Sequence, residues 1–290
     1  MKWTPGTQND DVVDQRGSDG GSRGSAARLT GGGLAAAVVV VIVARLFGVD
    51  VSGLVSGGGS APSPRSQPSS RPHPPAGTDP DKELVDYVKF VMKDVQDTFE
   101  GMFRAEGKPY RHAKLFLFTS AIDTGCGRSS SAIGPFYCPA DEHAYIDLSF
   151  YRELRQRFGA PGDFAQAYVL AHEIGHHLQK LMGIDARAEA LGRGHTRNDL
   201  SVRTELQADC FAGVWGHAAR NRQLLEAGDL EEAITAATAI GDDRLQQQAG
   251  GEVNPETFTH GTSAERVRWF RRGFDAGQFA ACDTFSARAL

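Results

Sequence analysis

The segment DFAQAYVLAHEIGHHLQKLM, Asp163 to Met182, decides how the rest of the chain is read. Ala167, Leu170, Ala171, Ile174, Leu178 and Leu181 recur at steps of three and four, the spacing of one buried helix face. Asp163 is a suitable N-cap and Gly183 a suitable terminator. Within this predicted helix stands His172-Glu173-Ile174-Gly175-His176, an HExxH pattern. Residues four apart lie one above the other on a helix, so His172 and His176 can share one zinc ion. Glu173 is turned about 100° from His172 and can reach water at the metal as a general base.

A catalytic zinc needs a third protein ligand. A metzincin would have Gly at 179 and His at 182; this chain has Gln179 and Met182. A di-iron bundle would need a second E-x-x-H, which is absent. Glu205, in TELQAD on the next predicted helix, is the leading candidate for the third ligand. Asp209, one turn on, can accept from the free ring nitrogen of a ligating histidine and fix its tautomer. The alternatives are a surface acidic pair at Glu205 and Asp209, or His195 in GRGHTRN as the ligand. His177 is read as a packed or solvated neighbour. Amide hydrolysis also needs a donor to the developing oxyanion. His260, just before a helix N-terminus, is the candidate, with a structural or capping role as its alternative. Tyr168 and Tyr145 are further candidates.

The other signals build a domain around this helix. Residues 81–104 place Leu84, Val88, Val91, Val95 and Phe99 on one helical face. AKLFLFTS (113–120) and YIDLSF (145–150) read as strands, with a Gly/Ser-rich loop over 125–134 between them. Helices are predicted over about 200–221 and 229–248. A last helix runs from Thr262, whose T-S-A-E forms a capping box with Glu265, to about Asp275. Many helices, few strands and no βα alternation predict an α+β, mainly helical domain with a small sheet over 79–290. Gly101–Pro109 and 121–142 are the expected borders of a substrate cleft. Four cysteines allow three pairings. Cys126 with Cys138 would close a short loop, and Cys210 with Cys282 would tie the C-terminal tail to the metal helix. No C-x-x-C exists, so disulfides, and with them an oxidising compartment, are the natural reading.

Residues 1–78 differ in kind. They hold 7 of the 13 Pro and 14 of the 34 Gly. A polar segment over 1–28 is expected to be a disordered tail. LTGGGLAAAVVVVIVARLFGV (29–49) is long and apolar enough for one transmembrane helix, with Arg45 at its edge. Residues 50–78 read as a Gly/Ser/Pro-rich linker. Residues 79–290 carry 24 basic and 31 acidic side chains, a net of −7. That mild acidity argues against a nucleic-acid partner. Oligomeric state is not legible.

HExxH followed by E-x-x-x-D resembles the glutamate-ligand zinc peptidases. The whole chain resembles a bacterial family of neutral zinc metallopeptidases. The likeness is carried by MKWTPGTQNDDVVDQRG, the Gly-rich run before one apolar span, AHEIGHHLQ, TELQADCFAGVW and HGTSAERVRWF. It implies a single-pass membrane protein with a zincin-like peptidase domain. The expected function is therefore a membrane-anchored zinc metalloprotease acting on a peptide or protein, its domain outside the cytoplasm. One catalytic Zn2+ is expected on His172, His176 and Glu205, with Glu173 as base and His260 as catalytic partner. The alternatives are a non-catalytic scaffold of the same fold for membrane partners, and an amidase cutting cell-wall peptide bonds.

Overall fold

The computed structural model describes residues 1–17, 79–184, 196–250 and 253–290. In chain order the elements are β1 (Val12–Asp14), α1 (Lys82–Ala105), β2 (Lys114–Phe118), β3 (Ala121–Thr124), β4 (Gly127–Ser130), β5 (Phe136–Cys138) and β6 (His143–Asp147). They continue with α2 (Ser149–Gln156), α3 (Asp163–Met182), α4 (Arg197–Asn221), α5 (Asp229–Ala239), α6 (Asp242–Gln248) and α7 (Ser263–Ala276). The α+β class, mostly helical with a small sheet, is as expected.

One sheet has the order β1-β2-β6-β5, parallel except for the β5–β6 pair; β3 and β4 form a separate hairpin. Leu115 and Leu117 of β2 and Ala144 and Ile146 of β6 face the main core. The opposite face carries a ladder of aromatic rings, because Phe116, Tyr145 and Phe136 are in register. Their ring centroids are 5.3 and 5.0 Å apart. Val88, Val91, Val95 and Phe99 of α1 are fully buried, as the spacing predicts. On α3, Ala167, Leu170, Ala171, Ile174 and Leu178 are buried and Leu181 is half-buried. Fully burying an aliphatic side chain contributes about 1.5–3 kcal/mol, so this face holds α3 in one rotational setting.

Several boundaries differ from the expectation. The strand after Tyr145 stops at Asp147, and Ser149 begins α2. The Asp147 carboxylate accepts from the Ser149 and Ser120 amides, turning the chain where the alternating pattern suggested more strand. Gly162, not Asp163, is the N-cap of α3. α4 starts earlier than expected, capped by the Thr196 hydroxyl, which accepts from the Asp199 amide. The predicted helix over 229–248 is two helices, broken at Ile240 and Gly241. A side chain at 241 would put its Cβ 2.4 Å from the Ser263 amide nitrogen. Glycine at the break thus allows close seating against the start of α7.

The largest correction concerns the expected disordered tail. Residues 1–17 belong to the folded body: β1 pairs with β2, Val12 and Met1 are buried, and Trp3 packs edge-on against Tyr87. The Met1 α-ammonium lies 2.6 Å from Asp163 Oδ1 and 3.3 Å from Asp229 Oδ1. Order here comes from a strand edge and carboxylates supplied by distant parts of the chain, which local composition does not register. The apolar stretch 29–49 and the linker 50–78 lie outside the described residues. Among the described residues, no helix is long and apolar enough to cross a membrane.

Two disulfides are present, Cys126–Cys138 and Cys210–Cys282. The second closes a separation of 72 residues and pins the C-terminal segment to α4. Replacing both Cys210 and Cys282 with Ser is expected to cost about 4 kcal/mol through the freed unfolded chain. In a chain of this size that is a fall of roughly 10 °C in melting temperature, read by circular dichroism. A melting point unchanged within a degree would show that the segment is held by its other contacts alone.

Candidate metal centre

α3 and α4 pack against each other closely enough that a Cβ on Gly175 would sit 3.0 Å from the Ala208 Cα. Glycine inside HExxH thus lets the second helix bring its carboxylates up to the histidines. Glu205 Oε2 lies 3.3 Å from His172 Nε2, and Glu205 Oε1 lies 3.6 Å from His176 Nε2. One ligand atom from each of His172, His176 and Glu205 lies within 4.8 Å of the others. Ligands roughly 2.0–2.2 Å from a tetrahedral zinc are separated from each other by about 3.3–3.6 Å. The two separations, one to each Glu205 oxygen, fall in that range, so the donor types fit zinc and the carboxylate lies at ligand distance from both rings.

The outward ring nitrogens are committed elsewhere. His172 Nδ1 is 2.9 Å from Asp209 Oδ1, and His176 Nδ1 is 2.9 Å from Gln179 Oε1. A carboxylate and an amide oxygen only accept, so both Nδ1 atoms carry a proton, and Nε2 is the ring atom of each that would offer its lone pair to a metal once its own proton is lost. Asp209 is fully buried and also accepts from Tyr168 Oη (2.5 Å) and Arg266 Nη2 (2.9 Å).

These contacts set the electrostatics. Burial alone would lower the His172 pKa; the Asp209 carboxylate, with Glu205, raises it to about 10 in the metal-free protein. Burial also works against the charge on Glu205, but His176, His172 and His260 hold its carboxyl well below the usual range. Glu173 is raised by burial, with His172 and His176 pulling the other way. Burial opposes ionisation of Asp209, yet Arg266 and His172 keep it lowered.

A cavity of about 450 Å³ opens over this cluster. Glu173 and His260 line it together with the three candidate ligands. His260 Nδ1 lies 3.2 Å from Asp242 Oδ1, while the Asp242 Oδ2 atom accepts from the amides of Thr259, His260 and Gly261. Burial would lower the His260 pKa, but the Asp242 hydrogen bond and the Glu205 charge raise it. The helix break at 240–241 places Asp242 there; without the break it would have read as one more polar residue of a long helix.

Other expectations are placed differently. Tyr168 lines the cavity, but its hydroxyl is taken by Asp209. The Tyr145 hydroxyl donates to Asp141, away from the cavity lining. His177 is buried, 2.6 Å from the Arg111 carbonyl. His195 lies outside the described residues. Of the two expected cleft borders, 121–142 contributes eight residues, among them Cys126, Ser129, Ile133 and Phe136, whereas 101–109 contributes nothing. Helix α1 turns that end toward Phe279 and the C-terminal segment instead. Arg266 and Gln179 were missed in sequence: a buried arginine reads as a surface residue of an amphipathic helix, and Gln179 registered only as a glycine that was not there.

A family model described as "Putative neutral zinc metallopeptidase" matches residues 1–285. The chain is 47% identical over 292 residues to the Uncharacterized protein YpfJ of Escherichia coli (strain K12), covering 98% of this chain and 99% of that one. It is 41% identical over 265 residues to the Uncharacterized protein Rv2575 of Mycobacterium tuberculosis (strain ATCC 25618 / H37Rv), covering 85% and 86%. No solved structure matches. The family match takes in nearly the whole chain, the His/Glu cluster included, and the chain belongs to the neutral zinc metallopeptidase family.

Proposed function

We propose that this protein is a zinc-dependent peptidase in which His172, His176 and Glu205 hold one zinc ion and Glu173 moves the proton during peptide-bond hydrolysis. The observation that carries this reading is the convergence of two imidazole nitrogens and one carboxylate at the floor of a cavity that Glu173 also lines. A zinc ion bound there supplies a Lewis acid that acidifies water and polarises a carbonyl.

The chain's own residues supply the rest. Glu173 is 8% exposed, and burial raises its proton affinity, which suits a group that takes a proton from water and passes it to the leaving amine. His260 keeps its Nδ1 on Asp242, so Nε2 is the ring atom left to donate to a developing oxyanion. Asp209 holds His172 in one tautomer and is itself held by Arg266 and Tyr168. Away from these groups the wall is formed mainly by uncharged residues, among them Ile133, Phe136, Phe150, Phe158, Val169 and Leu245. Apolar side chains beside the scissile bond suit that wall; charged ones would lose hydration without a partner.

We place the domain at a membrane surface in an oxidising, extracytoplasmic compartment, on the strength of its two disulfides and the apolar stretch 29–49.

The test is metal analysis of the purified full chain, with activity on casein and a quenched-peptide library. One zinc per chain is expected, with cleavage abolished by a chelator and restored by zinc. Glu205→Ala should lose the metal. Zinc-loaded protein that cleaves no peptide in the library, or Glu205→Ala that keeps zinc at full affinity, would overturn the assignment.

A further inference from the structure

His176 is oriented by a chain of amides that ends on the C-terminal segment. Gln179 accepts from His176 Nδ1 through Oε1, and its Nε2 donates to the Thr204 carbonyl at 2.7 Å and approaches Gln207 Oε1 at 3.2 Å. Gln207 Nε2 in turn donates to the Cys282 carbonyl at 2.9 Å. Both side chains are buried, 1% and 4% exposed, so water cannot substitute for a missing partner.

The two ends of this chain are backbone carbonyls, which only accept. The Cys282 carbonyl therefore takes an N–H of Gln207 and turns the Gln207 oxygen toward Gln179. The Thr204 carbonyl and that oxygen both demand the NH2 of Gln179, which leaves the Gln179 oxygen facing His176. An amide oxygen cannot donate, so the proton of a neutral His176 ring sits on Nδ1 and its lone pair on Nε2, toward Glu205. Cys282 is itself fixed by its disulfide to Cys210 on α4, the helix that carries Glu205.

We propose that Gln207, which does not line the cavity and whose side chain hydrogen-bonds Gln179 and the Cys282 carbonyl, is a positioning residue that sets the metal-binding tautomer of His176 through Gln179, with the Cys282 carbonyl as the fixed end. This rests on the zinc reading of the His172, His176 and Glu205 cluster. It gives the C-terminal segment a part in metal affinity and not only in stability.

The experiment compares the wild type with Gln207→Met and Gln207→Glu, both close in volume to Gln. Zinc affinity is measured by chelator competition, and the His176 Nδ1–H is followed in 15N-edited spectra of the zinc-loaded full chain. Gln207→Met has no acceptor for Gln179 and is expected to weaken zinc about 10-fold and to broaden the Nδ1–H signal by exchange. Gln207→Glu can still accept from Gln179, and when protonated can donate to the Cys282 carbonyl. It is expected to keep affinity and signal near those of the wild type. A residue that only packs would show equal losses in both. Equal losses, or a Gln207→Met protein with unaltered zinc affinity and Nδ1–H signal, would overturn the proposal. If Gln207→Met does not fold, Gln207→Glu decides it: a tenfold loss of affinity there is the overturning result. A wild type that binds no zinc overturns the metal site itself, and the relay with it.

Discussion

Glu173→Gln is expected to bind zinc as the wild type does and to lose roughly 10²–10⁴ in turnover on any peptide the wild type cleaves. The substitution keeps the shape of the side chain and removes only its capacity to take up a proton. Glu173 lines the cavity beside the candidate ligands but does not belong to the three-residue cluster, so metal content and proton transfer separate at this position. Zinc analysis and kcat on the same preparation make the comparison. A variant that keeps both its zinc and its full turnover would remove Glu173 from the reaction. One that loses its zinc would show that Glu173 serves the metal site as well.

Arg266→Leu is expected to be the most destabilising single change near the site, by about 3–5 kcal/mol. Arg266 and Asp209 are 2% and 0% exposed, and their 2.9 Å contact pairs two charges that water does not reach. Removing the guanidinium leaves the carboxylate with only Tyr168 and His172. The loss corresponds to a drop of roughly 10 °C in melting temperature, measured by calorimetry on the zinc-loaded protein. Arg266→Lys keeps the charge and should fall between the two, because a point charge replaces a planar fork. An Arg266→Leu protein that melts with the wild type would mean that Asp209 is stabilised by its other partners alone.

The contrast between the two residues shows what could be read beforehand. Glu173 is legible because HExxH is a local pattern: the α-helix fixes the relation of His172, Glu173 and His176 within two turns. Arg266 is not, because its partner is 57 residues away on another helix. Asp242 was hidden for a different reason. The run 229–248 reads as helical on both sides of Gly241, and one glycine within such a run does not by itself announce a break; the space it leaves lets the start of α7 seat against it. The N-terminal strand escaped because polar composition is a sound guide to disorder only where no distant edge or carboxylate waits to receive the segment.

By itself the sequence determined the local content of this protein: α1, α3, α4 and α7, the strand at β2, the HExxH pair with its adjacent glutamate, and four cysteines in two plausible pairs. These follow from side chains at fixed short spacing, where the backbone geometry of a helix or strand does the placing. The sequence also nominated Glu205 and Asp209 as partners of the histidines, with alternatives open; the tertiary structure set Glu205 against both rings and Asp209 behind His172, and it alone showed Asp242 behind His260, Arg266 on Asp209 and Met1 at the start of α3. These contacts join segments 18 to 162 residues apart, and their distances depend on how closely distant elements pack, which no single segment encodes.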